Sequence, residues 1–365
     1  MNIKNEKKMQ IKILAVCFIV FGILLLFAHS RPTENDDLDA IYFERGRVIN
    51  IISESTDPFH HQILEVEVLS GELEGINVQA ENNLMDHTTR IFDEGDRVIV
   101  LLSNQVIQVS SPERGSILIF FVALFLILLC LIGGKRGVRS VVGLVFSLAS
   151  IAFILIPLTL AGYPAILIAI AIGTLITITD ITLLAGFNPK SIAAIFGCIS
   201  GVLIAAFFAF IAGHFAFITG YHTEHAGSLL AWNTGISLSG IFISGVIISA
   251  MGAITDTSIS IASAMEEIKL ASPTISTVKL ARAGINVGRD IMGTMSNTLI
   301  LAFVGSSISL LLLISSTNVS WIEFINDREI GIEIIQGVAG SIGVVLTAPM
   351  TAFIAAKLLS MSKVS

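Results

Sequence analysis

What most constrains this chain is a succession of apolar stretches, each close to the length needed to cross a bilayer. A helix needs roughly 20 apolar residues to span the hydrocarbon core. Eight stretches approach or meet that length: residues 11–28, 116–132, 138–157, 165–184, 192–212, 235–254, 291–315 and 334–356. Backbone groups in hydrocarbon must pair within the segment, so in lipid these stretches are helices. Only 13% of the 365 residues are charged, against about a quarter in a soluble domain. The expected fold is a polytopic α-helical membrane protein of about eight spans, with one small all-β domain.

Residues 1–29 read as an anchoring first span. Lys4, Lys7, Lys8 and Lys12 would also suit a cleavable signal peptide, but Phe27-Ala28-His29-Ser30 is a poor cleavage site and the apolar run is long. Positive charge sets the orientation. With the N-terminus inside, fourteen of the 21 basic residues fall in inner segments: the four lysines above, Lys135, Arg136, Arg139, Lys190, Lys269, Lys279, Arg282, Arg289, Lys357 and Lys363. Both termini are then cytoplasmic.

Residues 30–115 form the one sizeable polar block and are expected outside the membrane. After a polar linker, period-two alternation marks strands at 47–52, 63–69, 76–80, 97–102 and 106–109. Turn signals at Ser70-Gly71-Glu72-Leu73-Glu74-Gly75 and Glu94-Gly95-Asp96 separate them. Five short strands suggest a small closed barrel of OB-like type. An acidic, aromatic-poor block does not suit nucleic acid, so the barrel reads as a lid, a spacer or a contact for another envelope protein.

Ionisable groups within spans are costly and normally serve a pair or a pathway. Asp180, Asp256 and Asp290 stand out within the domain of residues 116–365. The first two lie in near-copies, Ile178-Thr179-Asp180 and Ile254-Thr255-Asp256, which resemble a parallel internal repeat. At about 100° per residue, Asp256, Ser260, Ser263 and Glu267 share one helical face, with Ile261, Met265 and Ile268 on another. Asn286, Asp290, Gly293 and Asn297 align in the same way, flanked by Arg289 and Thr294, and Gly173, Thr177 and Asp180 repeat the theme. One reading is a hydrated path facing the bundle axis, with the polar segment 256–290 at its inner end. The other is helix capping by Asp256, snorkelling by Arg289 and packing by small residues. Gly337, Gly340, Gly343 and Pro349 predict a kinked or closely packed last span.

His222, Glu224 and His225 carry metal-binding atom types in the loop after the fifth span, without a known ligand spacing. Cys17, Cys130 and Cys198 lie in apolar runs and read as small fillers. No nucleophile elbow, zinc helix or phosphate loop is present. Neither an enzyme nor a cofactor is expected.

Three pieces carry a resemblance: Gly-Ala-Ile-Thr-Asp-Thr-Ser within residues 252–263; Gly-Ile-Asn-Val-Gly-Arg-Asp-Ile-Met-Gly-Thr within 284–306; and Gly186-Phe187-Asn188-Pro189-Lys190-Ser191 before 193–197. They resemble the YibE/F family, with Thr257 standing where the family often has an apolar residue. The resemblance implies a multi-pass protein of bacterial, mainly Gram-positive, cell membranes, and no substrate. The leading expectation is a secondary transporter or permease for a small solute or cation. The alternative is a non-transporting scaffold acting through its outer domain. Besides lipid, a homo-oligomeric partner is considered.

Overall fold

The computed structural model describes residues 3–29, 42–55, 61–71, 73–83, 90–103, 107–218, 227, 235–317 and 319–361. Two compact units emerge: Pro32–Leu131, and Met1–Arg31 together with Ile132–Ser365.

The first unit holds five strands, β1 (Tyr42–Ser55), β2 (His61–Val68), β3 (Asn77–Asn83), β4 (Arg97–Leu102) and β5 (Ile107–Pro112). They close into a barrel in the order β1-β2-β3-β5-β4. Closure rests on β1, whose 14 residues pair with β2 and also with β4, so that Gly46 lies opposite both Val68 and Val98. The expected period of two is realised on β2, where Gln62, Leu64, Val66 and Val68 point inward beside Val98 and Val100 of β4. Gly46 admits this crowding, since a Cβ there would meet Val66 and lie 3.1 Å from Val100. The turn between β2 and β3 places Gly71 and Gly75 at φ 81° and 82°, a region open to glycine.

One polar network interrupts the barrel core. Gln62, fully buried, donates from Nε2 to the Phe92 carbonyl (3.1 Å) and accepts at Oε1 from the Phe92 amide (3.0 Å) and from Asn82 Nδ2 (2.9 Å). Asn82 donates further to the Arg90 carbonyl at 3.0 Å. Gln62 thereby ties the segment before β4 to the interior of β2.

Helices α1 (Ile3–His29), α4 (Ala165–Ala185), α5 (Pro189–Phe215), α6 (Leu238–Ala271), α7 (Thr277–Ser306), α8 (Ile308–Ser316), α9 (Trp321–Asn326) and α10 (Arg328–Met361) lie in the second unit. Helix α2 (Gly115–Ser150) starts in the barrel's unit and continues through a π-turn, Ile151–Leu155, into α3 (Ile156–Leu160). Among the described residues, six helical runs are long and apolar enough to cross a membrane, and a seventh results if α7 and α8, bent by 57°, are taken as one.

The eight expected stretches all fall on these runs. The stretches expected at 116–132 and 138–157 fall in one helical run, Gly115–Leu160, of 46 residues. Between them the helical geometry breaks at Gly134, at φ 52° and ψ −131°. The segment after Asp256 also differs from the capping expectation. Helix α6 is capped by Ser237, which accepts from the Gly240 amide, and runs unbroken through Asp256 to Ala271. Asp290 likewise lies inside α7 rather than at its start.

Small residues hold the bundle together. Gly197, Gly201 and Ala205 of α5 face Gly343, Thr347 and Thr351 of α10. A Cβ at Gly197 would fall on Thr351, one at Gly201 on Thr347, and one at Gly343 would lie 2.7 Å from Ala205 Cβ. This four-residue spacing lets the backbones approach closely, the arrangement favoured between helices in lipid. The last helix is therefore closely packed, as its glycines predicted, and Pro349 lies within it. On the other side of α10, Gly284 and Gly288 of α7 lie close to Ala352 and Ala348.

Candidate functional site

Helix α4 brings Asp180 against the second half of α2. Ser147 donates to Asp180 Oδ2 at 3.2 Å while also reaching the Gly143 carbonyl at 2.9 Å. A Cβ at Gly143 would lie 2.6 Å from Asp180 Oδ1, so the glycine is what makes room for the carboxylate. Asp180 Oδ1 is buried and has no hydrogen-bond partner among the described residues. Two residues further on, Gln10 of α1 donates to the Thr182 carbonyl at 2.9 Å, and the buried Thr182 hydroxyl is also unpartnered among the described residues.

On the neighbouring turn of α4, Thr177 Oγ1 lies 3.4 Å from Cys198 Sγ of α5, and Cys198 Sγ lies 3.2 Å from Thr255 Oγ1 of α6. All three groups can donate or accept. They form a continuous polar line across three helices at a wholly buried cysteine. Deeper along α6, buried Ser258 accepts from Thr351 of α10 at 3.4 Å. Near the far end of α6, Lys190 and Glu266 form an ion pair at 2.6 Å.

The structure thus gathers Asp180 and Thr177, but with partners that helical phasing did not single out. Cys198, read as a filler, sits at the centre of the line, and Ser147, Thr255, Ser258 and Thr351 were not anticipated. A cysteine or hydroxyl in an apolar run carries no periodic signal of its own. Only the approach of a second helix reveals it.

The other aligned residues lie elsewhere. Asp256, Ser260, Glu267, Asn286, Asp290, Thr294 and Asn297 are exposed on this chain, and Ser263 is half-buried. Ile261 and Met265, on the opposite side of α6, are fully buried against the glycines of α7. The two stripes therefore lie on faces of α6 and α7 that the chain's own packing leaves accessible. Arg289 donates to Asn286 at 3.4 Å, and Thr294 turns back to the Ile291 carbonyl at 2.8 Å. Arg282, Asn286 and Arg289 border an open groove of about 480 Å³ beside Phe353 of α10. His222, Glu224 and His225 lie outside the described residues; His214 ends α5 stacked on Phe210. Among the described residues, no three His, Cys, Asp or Glu side chains converge as a metal site.

The family model described as YibE/F-like protein matches residues 121–361, which covers the whole line from Asp180 to Thr351 and leaves out the barrel. No curated protein and no solved structure matches the chain.

Proposed function

The chain belongs to the YibE/F-like family, and from the helices that this family shares we propose a secondary transporter or permease that moves a small solute or ion past Asp180. The observation that carries the reading is the buried, donorless Oδ1 of Asp180. An unsatisfied buried acceptor costs on the order of 1–3 kcal/mol, and more when charged. A transient proton or cation supplies the missing partner, which is the use expected of a carboxylate within a span. The line Thr177–Cys198–Thr255 starts three residues before Asp180 on α4 and ends at the residue before Asp256 on α6. No nucleophile–base pair accompanies it, and the reading is non-enzymatic.

In this reading the helices span a bacterial cell membrane with both termini cytoplasmic. The barrel, OB-like by its strand order, stands outside. The exposed face of Asn286, Asp290 and Asn297 is costly against hydrocarbon, so it faces water or a second copy of the chain. A scaffold role for the barrel draws on its forming a compact unit of its own.

The test is flux in liposomes reconstituted with the full chain. Proton, sodium, potassium and small-solute uptake are compared between wild type, Asp180→Asn and Asp256→Asn. Loss of flux in Asp180→Asn, with a smaller effect in Asp256→Asn, is expected. Unchanged flux of an identified substrate in both variants removes the assignment.

A further inference from the structure

A second site lies in the first half of α7, away from Asp180. Gly284 and Gly288 bring α7 close to Ala352 and Ala348 of α10, and the Thr277 hydroxyl donates to Ser360 at 2.9 Å. Beside this contact runs the open groove of about 480 Å³. Its two sides differ in chemistry. Val278, Ile285 and Phe353 supply an apolar side, on which Val278 is 72% and Phe353 58% exposed. Arg282, Asn286 and Arg289 supply a polar side. Seven residues of helix place the two arginines within about 20° of each other around α7 and about 10 Å apart along it. Arg289 leans back toward Arg282, since it donates to Asn286 Oδ1 at 3.4 Å. No acidic side chain borders the groove, and among the described residues neither arginine is in an ion pair. Asp290 stands about 100° round the helix from Arg289.

A groove of this kind discriminates among occupants. Guanidinium forks match phosphate oxygens and pair with them through two bonds at once. A soluble anion meets the arginines and leaves Val278 and Phe353 in water. A zwitterionic lipid covers the apolar side but brings its own cation to a groove with no acid to receive it. An anionic phospholipid answers both sides. Basic pockets between helices on the cytoplasmic side of a membrane hold such headgroups, and α7 carries three of the basic residues assigned to that side, Lys279, Arg282 and Arg289. We propose that the groove between α7 and α10 binds one anionic phospholipid, its phosphate on Arg282 and Arg289 and an acyl chain along Val278, Ile285 and Phe353. The site rests on the membrane-spanning reading of these helices and not on transport, and it shares no residue with the Asp180 line.

The full chain in non-ionic detergent micelles is titrated with phosphatidylglycerol and with phosphatidylcholine of identical acyl chains, and bound lipid is counted by native mass spectrometry. Phosphatidylglycerol is expected to bind at least about tenfold more tightly. Arg282→Gln with Arg289→Gln is expected to remove the preference. Lys135→Gln with Arg136→Gln, which deletes equal charge from exposed positions on α2, is expected to keep it. Glycerol 3-phosphate at the same concentration is expected not to displace the lipid. Equal affinity for the two lipids overturns the proposal, as does a preference that survives the loss of both arginines. Equal loss in the α2 variant reduces the effect to general charge attraction and also overturns it; displacement by glycerol 3-phosphate does so by assigning the groove to a soluble phosphate. If the double arginine variant does not fold, Arg289→Lys decides: it keeps the charge and loses the fork, so weakening of phosphatidylglycerol by about threefold or more is expected, and unchanged binding overturns the proposal. Recovery of the chain in alkali-washed membranes reads the membrane assignment separately. Absence there removes both readings, whereas loss of the lipid preference alone removes only the groove.

Discussion

Gly201 is where the packing of this bundle can be tested most sharply. A methyl group there would fall on Thr347 Oγ1 and lie 3.0 Å from Ile254 Cγ2 and 3.1 Å from Thr347 Cβ. The hydroxyl cannot simply rotate aside, because it donates to the Gly343 carbonyl at 2.7 Å. Gly201→Ala therefore forces either a helix shift, costing about 1–3 kcal/mol as overpacking, or the loss of that hydrogen bond, worth about 1 kcal/mol. The gain in helix propensity from Gly to Ala, roughly 1 kcal/mol, offsets part of this. A net destabilisation of up to about 2 kcal/mol follows. Gly252 is the control: it lies on α6, and nothing stands within 4 Å of a Cβ added there. Gly252→Ala is expected to be neutral or stabilising. The assay is reversible unfolding of the full chain in mixed micelles, followed by circular dichroism. Thr347→Ala removes the clashing oxygen, so Gly201→Ala with Thr347→Ala should be less destabilised than the sum of the two single variants, by about 0.5–3 kcal/mol. Strict additivity in the double variant would refute this account of the α5–α10 contact.

Two further predictions concern the barrel's unit. Gln62→Leu strands the Phe92 amide and carbonyl in the interior and should cost about 2–4 kcal/mol locally. Hydrogen exchange of residues 90–92 in the full chain reads it, and unchanged protection there speaks against the network. Glu113 accepts from the backbone amide and hydroxyl of Ser116 at the start of α2, and these bonds, helped by Arg97 and Arg45, hold its carboxyl below the usual range. A lowered folded-state value means that the contribution is present above the ordinary carboxylate range and lost as pH falls through the lowered value. Protection of the Ser116 amide, corrected for intrinsic exchange, should fall in that acidic window, and Glu113→Gln should abolish the dependence.

The residues themselves determined the membrane-type helices, the positions of the five strands and which side chains share a helical face. Hydrophobic length and the periods of 2 and 3.6 are local properties, so Leu64 and Val66 of β2, or Ile261 and Met265 of α6, could be assigned to a buried face without a partner in view. Two matters were out of reach of that reasoning. Gly133 and Gly134 mark where the apolar run is interrupted but not the geometry of the break, which falls at Gly134 with φ 52° and ψ −131°. Periodicity also says which residues lie together and not which way they face. In a bundle with apolar surroundings, hydrophobic burial does not distinguish inward from outward. The stripes of Asp256 and Asp290 therefore fall outside the chain's interior, while Thr177, Cys198 and Thr255, each unremarkable alone, meet inside it. That meeting exists only because separate helices pack with small residues between them.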